Sequence, residues 1–165
     1  MKKILSLLIL LALSQNMPAQ GKKEAINTQL DAWHQAAADA DFDTYFDLMT
    51  KDGVFIGTDA TENWQLDEFK AYAKPHFDKG KAWSFTALER NIYMGGDGKT
   101  AWFDELLDTQ MGICRGSGVV LLKNGTWKIA HYVLSIAVPN ENVDELVRIK
   151  KDFDSKFIEK LKPGK

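Results

Sequence analysis

The sequence has a single cysteine, only three histidines and only four prolines among its 165 residues. One cysteine, Cys114, cannot form an internal disulfide, so the stability of the fold must come from packing. The histidines are too scattered for a metal-ligand motif such as His-x-His. No glycine-rich loop opens a helix, as a phosphate site would require. We therefore expect no bound metal and no cofactor.

An excess of charge of either sign is also missing. The sequence has 21 basic and 23 acidic residues, for a net charge of −2. Nucleic-acid binding normally needs a concentrated basic patch, so we expect no nucleic-acid partner. The hydrophobic fraction of 45% and the charged fraction of 27% are those of a globular domain.

Long apolar runs are absent except at the N-terminus. Lys2 and Lys3 precede a nearly unbroken apolar run over 4–13, and small or turn-favouring residues follow at 17–21. This order is typical of a secretory signal peptide, and the run is too short to span a bilayer, which needs roughly 20 residues. We expect residues 1–20 to be a signal peptide, cleaved near Gln20 or Gly21. The protein would then be exported, periplasmic or secreted, with no membrane anchor.

Helical periodicity dominates the first half of the remaining chain. Apolar residues recur at three-to-four spacing from Glu24 to Ala37, over 42–49 after a candidate N-cap at Asp41, and over 66–77. A short strand is predicted at 54–56, between two glycines. Pro75 should distort the end of the third helix.

The second half alternates as strands do. Strands are predicted near 83–87, 101–111, 113–123 and 126–138, with turns at 95–98 and at Asn124-Gly125. A last helix begins near Glu141. Long strands joined by short turns predict an antiparallel meander, and segregated helices predict an α+β fold. A curved antiparallel sheet packed on the N-terminal helices would leave a cone-shaped cavity suited to a ligand.

Five segments of the sequence resemble those of a known family. The residues that carry the resemblance are FIGTD at 55–59, ENW at 62–64, AWFDE at 101–105, RGSG at 115–118 and WKIAHYVLS at 127–135. They resemble the SnoaL-like domains of the nuclear transport factor 2-like superfamily. The resemblance implies a cystatin-like roll over 21–139. The C-terminal helix extension at 140–165, predicted from its apolar periodicity, lies beyond the part that the resemblance covers. The resemblance also implies a homodimer.

The resemblance implies that the face of the last strand that bears His131 lines the cavity. Strand parity places His131 with Trp127 and Ile129. There it would be either a proton-transfer residue or a structural histidine bonded to a carboxylate. Asp104 and Glu105 are neighbours, so only one of them can point inward. We favour Glu105, because Phe103 and Leu107 would surround it with apolar atoms and raise its pKa.

Arg115 is a candidate for binding a ligand carboxylate or enolate, or else for an ion pair with Asp104, Glu105 or Asp108. In an unbroken hairpin ladder it lies opposite Leu134, on the face away from His131. A bulge in 116–118 would be needed to bring the two together.

Several aromatic residues are candidates for a cavity wall, although most of them should be plain core: Trp33, Tyr45, Trp64, Phe69, Tyr72 and Trp102. Trp64 sits in a polar loop and could close the cavity mouth.

Three functions remain open from the sequence. The first is binding of a small apolar or amphipathic ligand in an aromatic-lined cavity. The second is a cofactor-free isomerase, dehydratase or cyclase that uses His131 and a carboxylate. The third is a non-catalytic structural dimer.

Overall fold

The computed structural model describes residues 19–162, so the signal peptide expected at 1–20 lies almost wholly outside the described residues. The helices are α1 (Ala19–Ala38), α2 (Phe42–Asp47), α3 (Leu66–Phe77) and α4 (Val143–Leu161), the last preceded by a 3₁₀ turn at Asn140–Asn142. The strands are β1 (Met49–Ile56), β2 (Asn63–Gln65), β3 (Phe85–Met94), β4 (Thr100–Thr109), β5 (Gly112–Lys123) and β6 (Thr126–Ile136).

Local sequence explains where the helices start and which face they bury. The apolar stripe of α1 is buried, with Ile26, Leu30 and Trp33 fully inaccessible to solvent. The carboxylate of Asp41 accepts a hydrogen bond of 3.0 Å from the backbone N–H of Thr44, which caps α2 as predicted. Glu68 accepts one of 3.0 Å from the N–H of Gln65 and so closes a capping box at the start of α3.

The six strands form one curved sheet in the order β2-β1-β6-β5-β4-β3. The predicted meander of β3 to β6 is confirmed, each neighbour pairing antiparallel. Asn124 and Gly125 have φ values of 52° and 84°. Positive φ at both central residues is what the tight hairpin turn of this type requires.

The sheet is mixed, which corrects the expectation of a purely antiparallel sheet. β1 runs parallel to β6, while β2, which the sequence did not predict, pairs antiparallel with β1. The α+β class and the roll are as predicted. The parallel pair arises because β1 joins the sheet beside the last strand of the chain, a contact between segments about 80 residues apart in sequence.

The core lies between α1 to α3 and the concave face of the sheet, here called the inner face. The inner face carries buried side chains from each long central strand, among them Phe103, Leu107, Val120, Ile129 and Tyr132. The opposite, outer face leaves Tyr93 and Trp102 43% and 50% exposed.

Helix α4 contributes no buried residue. Its apolar side chains, including Val147, Ile149 and Phe153, stay largely in solvent. Between α4 and the carboxyl-terminal ends of β1 and β6 lies an open gap of about 580 Å³. Within residues 19–162, none of the helices combines the length and the apolar character needed to cross a membrane.

Candidate functional site

A small pocket opens at the end of the roll where β1 and β2 meet α3; we call it the aromatic pocket. Its volume is about 130 Å³. Six aromatic side chains form most of its wall: Phe55, Trp64, Phe69, Tyr72, Trp83 and Phe85. The other lining residues are Gly57, Thr58, Glu62, Gln110, Met111 and Leu134.

The aromatic wall is held in place by ring stacking. Trp64 stacks on Tyr72 with ring centroids 4.3 Å apart and lies nearly parallel to Phe69 at 5.7 Å. Phe69 in turn stacks on Phe55 at 4.1 Å and on Trp83 at 5.9 Å. Since each ring restrains the next, the wall is formed before any ligand arrives.

Glu62 is the only lining residue of the aromatic pocket whose side chain carries a formal charge at neutral pH. Its Oε2 accepts a hydrogen bond of 3.1 Å from the backbone N–H of Asp59, which fixes the turn between β1 and β2. The carboxylate lies over Gly57: a Cβ at that glycine would sit 2.2 Å from Oε2. Burial, and then the negative charge of Glu62, raise the pKa of Tyr72.

Deeper in the roll, four polar side chains meet; we call them the Glu105 cluster. Glu105, on β4, is 1% exposed. Its Oε1 accepts hydrogen bonds from Tyr132 Oη at 2.8 Å and from His34 Nε2 at 2.9 Å. Its Oε2 accepts one of 2.8 Å from Arg90 Nε. The carboxylate thus accepts hydrogen bonds from side chains of α1, β3 and β6.

The electrostatics of the Glu105 cluster favour an ionised carboxylate. Burial is the largest single influence on Glu105 and raises its pKa. The hydrogen bond and charge of His34, together with the charge and hydrogen bond of Arg90, outweigh it and hold the pKa at about 2. Burial and then the charge of Glu105 raise the pKa of Tyr132 well above its ordinary value. Tyr132 therefore keeps its hydroxyl proton and donates it in the hydrogen bond to Glu105.

The space around the Glu105 cluster is closely filled. A Cβ at Gly116 would lie 2.2 Å from Tyr132 Oη and 2.9 Å from Glu105 Oε1, so only glycine fits there. His34 Nδ1 and Arg90 Nη2 are buried and have no hydrogen-bond partner within residues 19–162. One ring separates the cluster from the aromatic pocket: Phe85 lines the pocket and packs edge-on against His34 at 5.7 Å.

The predicted orientation of the acidic pair is confirmed, with Glu105 inside and Asp104 outside. Asp104 accepts a hydrogen bond of 3.1 Å from Asn91 Nδ2 on the outer face. The predicted rise of the Glu105 pKa is wrong in sign, because the sequence did not show that His34 and Arg90 would reach this carboxylate. A catalytic role for either acidic residue stays a prediction.

His131 lies on the outer face, not in the cavity where the sequence placed it. The pairing of β5 with β6 shifts by one residue between Val120–Ile129 and Val119–His131. Ala130 is the extra residue of this bulge, and a one-residue slip moves every later side chain of β6 to the other face. Trp127 and Ile129 therefore stay inside, while Tyr132 takes the inner position expected for His131.

Arg115 is exposed on the outer face, opposite Ser135. The pairing is unbroken across 116–118, so the bulge that would have turned Arg115 inward is not there. The bulge at Ala130 puts Arg115 and His131 on one face after all, but it is the outer one. Within residues 19–162, Arg115 forms no salt bridge with Asp104, Glu105 or Asp108.

The six aromatic candidates divide into three groups. Trp64, Phe69 and Tyr72 line the aromatic pocket. Trp33 and Tyr45 are core residues that stack on each other at 4.9 Å. Trp102 is 50% exposed on the outer face, where it stacks on Tyr93.

The functional candidates missed from the sequence are His34, Arg90 and Tyr132 in the Glu105 cluster and Glu62 at the aromatic pocket. His34 lies four residues after Leu30 on the apolar stripe of α1, which is the signal that could have placed it inside. Arg90 shares strand parity with buried Ile92. Its Nη1 also contacts Asp31 Oδ1 at 2.7 Å, so it ties α1 to β3.

No group of three or more His, Cys, Asp or Glu side chains that could hold a metal ion occurs in the described part of the chain.

Comparison with known proteins shows what the chain is similar to. The profile of the SnoaL-like domain family matches residues 26–139. No curated protein matches the sequence at a significant level. An NTF2-like protein of unknown function from Pseudomonas putida KT2440 is similar in structure, with a TM-score of 0.62 and 15% identity over 77% of this chain and 94% of that one.

Two further solved structures share the fold. A candidate dehydratase of the NTF2-like family from Streptomyces avermitilis has a TM-score of 0.65 and 13% identity, over 74% of this chain and 100% of that one. The association domain of C. elegans CaMKII has a TM-score of 0.59 and 20% identity, over 70% of this chain and 96% of that one. Identities this low establish the fold alone.

Proposed function

Because the chain belongs to the SnoaL-like domain family, whose fold hosts many activities, we propose its function from the site: it binds a small apolar or amphipathic molecule in the aromatic pocket. The observation that carries this proposal is the wall of six aromatic rings, which surrounds a space containing one charged side chain. Ligand sites are typically apolar concavities with a few polar groups that fix orientation.

The size of the pocket limits the ligand. At about 130 Å³ it is close to the roughly 150 Å³ apolar cavity that accommodates benzene. It is well below the roughly 300 Å³ at which drug-sized sites begin. The part of the ligand that enters is therefore a single ring or a compact head group, and any remainder extends past Tyr72 and Trp64 into solvent.

Export is part of the same proposal. The residues at 1–20 have the order of a secretory signal, and we place the binding activity outside the cytoplasm, in the periplasm or the medium. With one cysteine in the sequence, the domain would be stabilised there by its buried aromatic core and not by an internal disulfide.

The test is binding of small ring compounds to two tryptophan variants. Phenol, indole and benzyl alcohol are titrated into the wild type, Trp64→Leu and the matched control Trp102→Leu, with isothermal calorimetry as readout. We expect Trp64→Leu to weaken binding about tenfold or more, since a stacked aromatic contact is lost, and Trp102→Leu to leave it within about twofold because Trp102 lies on the outer face. Equal weakening by both variants, or no saturable binding to the wild type, contradicts the proposal.

A second candidate function rests on the Glu105 cluster. The ionised carboxylate of Glu105, hydrogen-bonded to a histidine and a tyrosine, brings together three groups that can exchange protons, as a cofactor-free isomerase, dehydratase or cyclase requires. His34 then replaces His131 as the histidine of the pair. A substrate could reach it only if Phe85 moved aside. Deuterium exchange into a bound ligand, followed by NMR, tests this: it should occur in the wild type and stop in His34→Gln, and its absence in the wild type removes the candidate.

A homodimer is the remaining proposal. Tyr93 and Trp102 form an exposed stacked pair on the outer face, with Ile113 also exposed on the neighbouring strand. An apolar sheet face of this kind is typical of a protein interface, and one neighbour in fold is an association domain. We propose that a second copy of the chain covers this face.

A further inference from the structure

We propose that the head group held in the aromatic pocket is a small organic cation, a quaternary methylammonium group, recognised by the aromatic wall together with Glu62. The inference rests on the proposed function, since it names the ligand class of the same pocket. It adds the requirement that the ligand carry a positive charge, which the binding of a neutral ring would not need.

The first argument is the sign of the charge in the pocket. Glu62 is its single charged lining residue, and no lysine, arginine or histidine lines it. Within residues 19–162, Glu62 also takes part in no salt bridge. Glu62 is half-buried at the edge of the apolar cavity, so a cation that enters the pocket would meet a carboxylate not yet engaged in an ion pair.

The second argument is the chemistry of the wall. The faces of indole, phenol and phenyl rings carry negative electrostatic potential, and they attract a cation placed within about 6 Å. Two of the six rings are tryptophans, the strongest of these partners. The stacked arrangement of Tyr72, Trp64 and Phe69 keeps that surface rigid.

The third argument is the shortage of hydrogen-bond acceptors, which favours a quaternary ammonium over a primary one. A primary ammonium has three N–H donors to satisfy. Glu62 can accept one or two of these N–H donors, since only its Oε2 is engaged, by the N–H of Asp59. The ring faces that form most of the wall accept none in the same way, and Gln110 Oε1 already accepts from the N–H of Ser84 at 3.2 Å. A quaternary ammonium carries its charge without N–H donors and presents methyl groups to the rings.

The negative charge of Glu62 acts electrostatically across the pocket. Its charge contributes to the raised pKa of Tyr72, whose ring forms one side of the wall. Glu62 cannot swing away without losing the backbone hydrogen bond that fixes the β1–β2 turn. The carboxylate is thus pre-positioned at the pocket, and a cation there would meet it with little rearrangement.

The experiment compares two probes of the same shape and different charge: choline and its neutral isostere 3,3-dimethylbutan-1-ol. Both are titrated by calorimetry into the full chain as the wild type, Glu62→Gln and Glu68→Gln. Glu68→Gln is the matched control, since Glu68 also accepts one backbone N–H bond in the same region but does not line the pocket. The neutral alcohol reports whether the pocket is still formed in each variant.

We expect choline to bind the wild type about tenfold or more tightly than the neutral alcohol, and Glu62→Gln to remove that preference. The neutral alcohol should bind all three proteins within about twofold. Equal binding of both probes, unchanged in Glu62→Gln, overturns the cation inference and leaves the proposed function standing. Binding of neither probe overturns the inference and the assignment of the pocket as the ligand site together.

Discussion

Replacement of Glu105 by glutamine tests whether the buried carboxylate is ionised and bound by its neighbours. Glutamine has nearly the shape of the protonated acid, so the substitution removes the charge and keeps the volume. Its amide group also puts an N–H donor against either Arg90 Nε or the pair of Tyr132 Oη and His34 Nε2, which donate to Glu105 in the wild type. At least one donor therefore loses its acceptor.

The magnitude follows from the pKa of Glu105. A carboxyl whose pKa falls from an ordinary 4.5 to about 2 on folding stabilises the folded state by about 3 kcal/mol when ionised. Glu105→Gln should lower the free energy of unfolding by about that amount at pH 7. For a domain of this size the melting temperature should drop by roughly 10 °C.

The direction of the Glu105 pKa shift determines how the stabilisation changes with pH. Since the folded-state pKa lies below the unfolded one, the stabilisation is fully present above about pH 5 and is lost as the pH falls toward 2. The difference between the wild type and Glu105→Gln should therefore shrink as the pH falls below about 5.

The assay is urea unfolding followed by tryptophan fluorescence, because Trp33 is buried against Tyr132 and reports on the core. Asp104→Asn on the same strand is the control. Asp104 lies on the outer face with one hydrogen bond from Asn91, so its loss should cost less than about 1 kcal/mol. A Glu105→Gln protein as stable as the Asp104→Asn control, or a difference that persists unchanged to pH 3, would refute the reasoning.

Three further predictions concern packing, export and assembly. Gly116→Ala should destabilise the fold by about 2 kcal/mol or more, because a Cβ would strike Tyr132 and Glu105; Gly96→Ala, where nothing lies within 4 Å, should change the urea midpoint little, and equal effects would contradict the close packing. N-terminal sequencing of native protein should give a start near Gln20 or Gly21, and a start at Met1 rules out the signal peptide. Light scattering at micromolar concentration should give the mass of a dimer that Trp102→Glu converts to monomer, whereas a monomeric wild type removes the proposed interface.

The sequence alone determined the features that depend on neighbours along the chain. Three-to-four spacing located the helices, period-two alternation located the long strands, and Asn124-Gly125 located the hairpin, because each is a local backbone preference. The inward orientation of Glu105 followed from its apolar neighbours Phe103 and Leu107 on the same strand. These inferences needed no contact between distant segments.

The tertiary structure decided everything that depended on register or on contacts between distant segments. The bulge at Ala130 moved His131 to the outer face. The residue type at position 130 does not predict a bulge, because the register shift is fixed by the packing of β6 against β5 and β1. His34 reaches Glu105 across 71 residues of chain and Arg90 across 15. The pKa of Glu105 fell, where strand neighbours alone predicted a rise, because those two side chains arrive from other elements and electrostatic interactions depend on distance in space.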